Sequence, residues 1–174
     1  GLFNRGHFDR ALAAGIESAA RSGQPLSLAI LDLDHFKAIN DVHGHALGDR
    51  ALCEMADRLT RAMRRTDLVA RYGGEEFVVL MPGTAAVAAL GRIEALRRAI
   101  ANTPIELGGG EVLRLNFSAG VAGTLDDVDA ATPKALLTGA DSRLLIAKRA
   151  GRARCIGPST AAADQQVSLT LESP

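Results

Sequence analysis

Apolar positions along this chain follow two rhythms, one helical and one extended. Positions 8–21 are amphipathic and predict a helix. Positions 26–33 are apolar at nearly every residue and predict a buried strand. Positions 46–64 predict a long helix with Leu47, Leu52, Met55, Ala56, Leu59 and Met63 on one face. Leu68-Val69-Ala70 and Phe77-Val78-Val79-Leu80-Met81 read as strands on either side of Gly73-Gly74. That pair reads as a tight hairpin, because Gly accepts the positive φ angles of a two-residue turn. Thr84 reads as the N-cap of a helix reaching about position 102. Gly108-Gly109-Gly110 make a loop into a strand over 112–122. Thr132-Pro133 open a helix to about position 150, with a cap followed by Pro at the first helical position. Gly139 weakens that helix by about 1 kcal/mol relative to Ala. Positions 152–156 add an edge strand. Helices between strands imply crossover connections, and the hairpin makes the sheet mixed.

A length of 174 residues suits one domain with a real core. Hydrophobic residues make up 47% and aromatics only 3%, so the core is built from Ala, Leu, Val and Ile. The formal net charge is zero, which gives no reason to invoke a nucleic acid or contact with an anionic membrane. Cys53 and Cys155 lack metal-ligand spacing and read as reduced, buried small hydrophobes of a cytosolic protein. No apolar run approaches the roughly 20 residues of a membrane span, and no signal peptide is visible.

The chemistry concentrates in three places. Asp32 and Asp34 end the first strand, two residues apart and on one face while the chain stays extended. Asn40 to Asp49 reads as a polar, Gly-punctuated loop running into a helix. Glu75 and Glu76 follow the two glycines at the hairpin tip. Mg²⁺ prefers a few carboxylates plus substrate oxygens and water, and Asp32 with Glu75 supplies such a set. The turn after Asp34 enters a short helix whose free N–H groups can cradle an anion. Lys148 and Arg152, four apart near a helix end, fall on one face. His43 and His45 suggest a zinc pair at first sight, but no third ligand has suitable spacing.

Five stretches, taken together and in this order, resemble the GGDEF family of diguanylate cyclases in its GGEEF variant. They are GLFNRGHF from Gly1, LDLDHFKAINDVHGHALGD from Leu31, RRTDLVARYGGEEFVVLMP from Arg64, SAGV from Ser118 and ADSRLLIAKRAGR from Ala140. The resemblance implies a GGDEF domain over residues 1–157 and a disordered tail over 158–174. The fold it implies is α/β (α+β): a ferredoxin-like, nucleotidyl-cyclase or polymerase-palm-like domain with a central mixed sheet flanked by helices. The chain begins inside a motif, so an N-terminal sensor or receiver domain is expected before it. The expected setting is the bacterial cytoplasm, with a membrane anchor possible in that preceding region.

The resemblance also implies roles. Asp32, the carbonyl of Leu33 and Glu75 would hold Mg²⁺ (or Mn²⁺). Glu76 would be a second-metal ligand or general base. The backbone of Phe36 and Lys37, with the side chains of Lys148 and Arg152, would hold phosphates. Asn40 and Asp49 would read guanine, whose N1–H and N2–H₂ donors one carboxylate can accept together. Arg64 and Asp67, an RxxD string, would grip cyclic diguanylate at an inhibitory product site. Arg92, Arg97 and Arg98 lie where a supporting arginine is expected, without one being singled out. The implied reaction joins two GTP, held by two copies of the domain, into cyclic diguanylate and two pyrophosphates. The rival readings are a catalytically weak receptor for GTP or cyclic diguanylate and a cyclase using ATP. Leu145, Arg143, Ala153 and Ala119 depart from the family pattern, at packing positions and in the C-terminal strand.

Overall fold

The computed structural model describes residues 2–125 and 132–158. Helix α1 (Arg5–Ser22) opens the domain. Its N-cap is Asn4, whose side chain accepts from the His7 N–H at 2.9 Å, so the helix starts three residues before the sequence pattern suggested. Strand β1 (Leu26–Leu33) follows, then α2 (Phe36–His43) and α3 (His45–Ala62). Strands β2 (Leu68–Arg71) and β3 (Glu76–Pro82) form the hairpin, and α4 is Ala86–Asn102. The short strands β4 (Ile105–Gly108) and β5 (Glu111–Leu113) precede β6 (Phe117–Gly123), α5 (Pro133–Arg149) and β7 (Cys155–Ile156).

The main sheet has the order β2-β3-β1-β6-β7. Strand β1 lies in its middle, antiparallel to β3 and β6, while β7 joins β6 in parallel. The sheet is therefore mixed, and helices cover both of its faces. Ala29, Leu31 and Leu33 of β1 pack with α3 and α4; Leu26, Leu28 and Ile30 pack with α1 and α5. Both faces are dry, which is why this strand carries no polar alternation. The period of two also continues past the apolar run: Asp32 follows Leu28 and Ile30 onto the α5 side.

Four expectations need correction. Residues 40–49 are not a loop. Ile39 anchors α2 in the core, the helix runs on through Asn40, and only Gly44 (φ 81°, ψ 163°) separates it from α3. Thr84 does not cap α4, which begins after Ala85 with no side-chain cap. Thr84 is instead buried, its carbonyl accepting from Ser27 Oγ at 2.6 Å. The single strand expected over 112–122 is two, because β5 pairs with β4 as a separate hairpin whose tip, Gly108 to Gly110, has positive φ throughout. Cys155 is buried, but Cys53 is exposed, since Ala51, Leu52 and Met55 already occupy the inward face of α3. The cap at Thr132 is as expected, accepting from the Ala135 N–H at 3.1 Å. The tail read as disordered lies, after Pro158, outside the described residues.

Candidate active site

The C-terminal end of β1 opens into a cleft of about 510 Å³. Asp32, Leu33, Phe36, Lys37, Glu75, Lys148 and Arg152 all line it, with His35, Ala38 and Asp41. Asp32 is only 7% exposed, and its Oδ2 pairs with Lys148 Nζ at 2.8 Å. The pairing follows from the sheet. Asp32 points to the α5 face, and Lys148 directly follows the buried Ala147 of that helix.

The turn between β2 and β3 brings Glu75 beside Asp32. The Leu33 N–H donates to the Glu75 carbonyl at 3.2 Å, and Glu76 faces Asp32 across the β1–β3 ladder. The turn itself differs from a two-residue glycine hairpin. Arg71 pairs with Phe77, the Tyr72 N–H donates to the Glu76 carbonyl at 2.8 Å, and neither Gly73 nor Gly74 has positive φ. A Cβ at Gly73 would meet Glu76 Oε2 at 2.7 Å, so a side chain there would displace the end of Glu76. Arg71 braces the turn, with Nε and Nη2 donating to the Gly74 carbonyl at 3.1 and 2.5 Å. That role was not assigned from the sequence, although Arg71 stands at the head of the motif.

Acidic and basic side chains both line the cleft, and the acidic ones crowd Glu75. Burial, then the neighbouring Asp32 carboxylate, pushes the Glu75 carboxyl above its ordinary range, with Glu76 adding to the rise and Lys148 opposing it. Hard carboxylate oxygens crowded in this way suit a divalent cation. Among the described residues no three His, Cys, Asp or Glu side chains form a ready-made metal cage. Two carboxylates and a carbonyl leave coordination positions for substrate oxygens and water, which is the ordinary way of holding Mg²⁺. The donor set therefore fits such an ion.

The other predicted residues divide among neighbouring places. His35 precedes α2 with φ 59° and makes no capping bond, so the first amides of the helix, at Phe36 and Lys37, have no side-chain cap. Lys148 and Arg152 do share the cleft, but not through helical spacing. Helix α5 ends at Arg149, and Arg152 lies in the turn beyond it with φ 62°. Asp49 lines a second cleft of about 790 Å³, with Leu2, Phe3, Leu52, Cys53 and Tyr72 among its walls. Asn40 lies against Gly48, where a Cβ would come within 1.9 Å of its Oδ1 and 3.3 Å of Phe36 Cζ. Asn40 itself lines neither cleft. Glu76 lines neither.

Arg64 and Asp67 form a tight turn outside the first cleft, and the depression beside them shares Leu2 and Phe3 with the second. The Arg64 N–H donates to Asp67 Oδ2 at 2.9 Å, and the Asp67 N–H returns to the Arg64 carbonyl at 3.0 Å. Of the three arginines left open by the sequence, Arg92 is the one that reaches here, 2.5 Å from Asp67 Oδ2. Arg97 and Arg98 pair with Glu94 instead. Asp67 Oδ1 and Arg92 Nη1 are buried with no hydrogen-bond partner among the described residues. Arg64, Asp67 and Arg65 line a depression of about 240 Å³ there.

The class is now legible: a mixed α/β domain whose charged cleft sits at the end of its central strand, beside an acidic hairpin turn. The family model "Diguanylate cyclase, GGDEF domain" matches residues 1–154, and the chain belongs to that family. It is 42% identical over 158 residues to the response regulator PleD of Caulobacter vibrioides, covering 90% of this chain and 34% of PleD. It is 43% identical over 154 residues to the diguanylate cyclase DgcP of Pseudomonas aeruginosa, covering 88% of this chain and 22% of DgcP. The chain thus spans about a third or less of these relatives. Among solved structures, the GGDEF domain of YfiN (TpbB) from Pseudomonas aeruginosa superposes with a TM-score of 0.84 at 35% identity, covering 90% of this chain and 96% of that one. The GGDEF domain of DgcB from Caulobacter crescentus, in complex with c-di-GMP, gives 0.83 at 31% identity, covering 90% and 89%. No helix among the described residues is long and apolar enough to cross a membrane.

Proposed function

We propose that this domain is a diguanylate cyclase that condenses two GTP into cyclic diguanylate and two pyrophosphates. The observation that carries the reading is the convergence of Asp32, Glu75, the uncapped α2 amides, Lys148 and Arg152 on one cleft. Asp32, the Leu33 carbonyl and Glu75 would hold Mg²⁺ or Mn²⁺, with Glu76 as second ligand or general base. A divalent cation bound there would neutralise charge on the transferring phosphate. The Phe36 and Lys37 N–H groups, Lys148 and Arg152 hold the phosphate chain by charge-assisted hydrogen bonds. Asn40 and Asp49 read guanine, Asp49 from the wall of the second cleft.

Two copies of the domain face each other, each holding one GTP. Each 3′-oxygen bonds to the α-phosphorus of the other substrate, both bonds to pyrophosphate break, and each hydroxyl proton passes to Glu76 where it acts as general base, or to water where Glu76 is a metal ligand. Proximity contributes much of the rate, so the encounter of two domains is the natural point of control by sensor or receiver segments. Arg64 and Asp67, supported by Arg92, bind cyclic diguanylate and restrain that encounter. The DgcB complex with c-di-GMP supports a product-binding domain in this family. The test is to incubate the purified domain with GTP, ATP or both, with and without Mg²⁺, and identify products by mass. Cyclic diguanylate from GTP alone, abolished by EDTA, is expected. A folded, concentrated domain that binds GTP and yields no product would make it a receptor instead.

A further inference from the structure

Asp34 is a buried carboxylate, 8% exposed, that does not line the cleft. Its contacts tie three segments together. Its N–H donates to the Asn116 carbonyl at 2.9 Å. Its Oδ1 accepts from Ser118 Oγ of β6 at 2.7 Å. Its Oδ2 accepts from the Ala153 N–H at 3.0 Å, in the turn after α5. Arg97, which donates to Asn116 Oδ1 at 3.1 Å, provides the nearby positive charge.

That turn is unusual. Gly151, Arg152 and Ala153 have φ values of 102°, 62° and 49°, three successive residues in the left-handed region, two of them with a Cβ. Such backbone persists only where its surroundings over-determine it. Ala153 has no polar side chain that would favour the conformation locally. The fixing bonds come from elsewhere. The Arg152 N–H donates to the Ala147 carbonyl and the Ala119 N–H to the Arg154 carbonyl, both at 3.0 Å. Asp34 supplies a third bond, to the residue directly after Arg152.

We infer that Asp34 is a positioning residue: by holding the Ala153 N–H it keeps the left-handed turn that presents Arg152 to the cleft. The sequence pairs Asp34 with Asp32, but the two carboxylates divide the work. Asp32 faces the reacting groups, and Asp34 anchors the cation opposite them. This inference rests on the reading of Arg152 as a phosphate ligand, and the experiment separates the two. GTP and GMP binding are measured by calorimetry at fixed Mg²⁺ for wild type, Arg152→Ala, Asp34→Ala, Asp34→Asn and the double Asp34→Ala/Arg152→Ala variant.

Arg152→Ala should weaken GTP by about tenfold, the scale of one hydrogen bond to a charged group, and leave GMP unchanged. Asp34→Ala should reproduce that selective loss, and the double variant should be no weaker than Arg152→Ala alone. Asp34→Asn should recover most of the affinity, because the amide can offer its oxygen to Ala153 and its N–H₂ to Ser118. Additive losses in the double variant, or equal weakening of GMP, would overturn the positioning role. A normal Arg152→Ala would overturn the phosphate reading and the inference with it. If Asp34→Ala does not melt cooperatively, Asp34→Ser, too short to reach Ala153, replaces it in the same cycle.

Discussion

Asp32 shows how one residue acquires its partner from its place in a strand. Its parity is that of Leu28 and Ile30, so it enters the sheet face covered by α5 and meets Lys148 at 2.8 Å. Glu75 arrives from the neighbouring hairpin, and burial together with Asp32 raises its proton affinity. A cation in the cleft would relieve that crowding, and a neutral amide there would be a poor ligand for it. Glu75→Gln is therefore expected to lower turnover by about a hundredfold or more, the usual scale for removing one electrostatic contributor to a transition state. Its circular dichroism and melting should match wild type, since the Leu33 N–H bonds to the Glu75 backbone and not to its side chain. Near-normal turnover in a folded Glu75→Gln protein would remove Glu75 from the metal site.

At the scale of elements, the site depends on how closely α5 lies on β6. A Cβ at Gly120 would sit 1.9 Å from the Ala140 carbonyl oxygen and 2.3 Å from the Leu144 N–H nitrogen. Gly120 therefore sets the depth at which the helix carrying Lys148 rests. Gly120→Val should lift α5, with a stability loss of about 1–3 kcal/mol or more for overpacking, measured by urea unfolding. GTP affinity should fall as well. Unchanged stability would mean that the helix packs less closely than the contacts here require.

Helix α4 carries a second element-scale device. Hydrogen bonds from Arg97, then Arg98, against the opposing cost of burial, hold the Glu94 carboxyl down from 4.5 to about 2. A depressed folded value means that its stabilisation is present above about 4.5 and is lost as pH falls towards 2. Acid unfolding of Glu94→Gln should accordingly be shallower than wild type in that window and parallel to it near neutrality. Identical acid limbs would show that the Glu94 cluster contributes nothing to the pH dependence.

For the whole molecule, the separation of the RxxD turn from the cleft matters. Its geometry rests on the main chain of Arg64 and the side chain of Asp67, so removing the Arg64 side chain leaves the turn standing. The guanidinium is then free to engage phosphate or guanine acceptors through paired bonds. Arg64→Ala should retain nearly full basal activity and lose non-competitive inhibition by cyclic diguanylate. Titrating product against wild type and variant at several GTP concentrations checks this. Equal inhibition of both would move control to product lodged in the active half-site.

Much of this organisation is written locally in the chain. The central strand, the amphipathic α3, the Thr132-Pro133 helix start and the acidic hairpin are all legible, because each depends on periodicity or on a short capping or turn signal. Ordered motifs singled out candidate residues, and seven of those candidates meet in one cleft. What the sequence could not decide are contacts made across long separations. Thr84 has the chemistry of a helix cap, but burial beside Ser27 gives it another role. Gly73 lies against the Glu76 carboxylate and does not adopt positive φ. Arg152 reaches the cleft through a left-handed turn and not along a helix face, and that turn donates a hydrogen bond to a carboxylate 119 residues away. Arg92 meets Asp67, while Arg97 and Arg98 pair with Glu94 within α4. Local pattern dictates which elements form, since it acts through the few residues of one turn or strand. Only the packed sheet decides which side chains share a cleft, because that depends on distances between segments the local pattern does not encode.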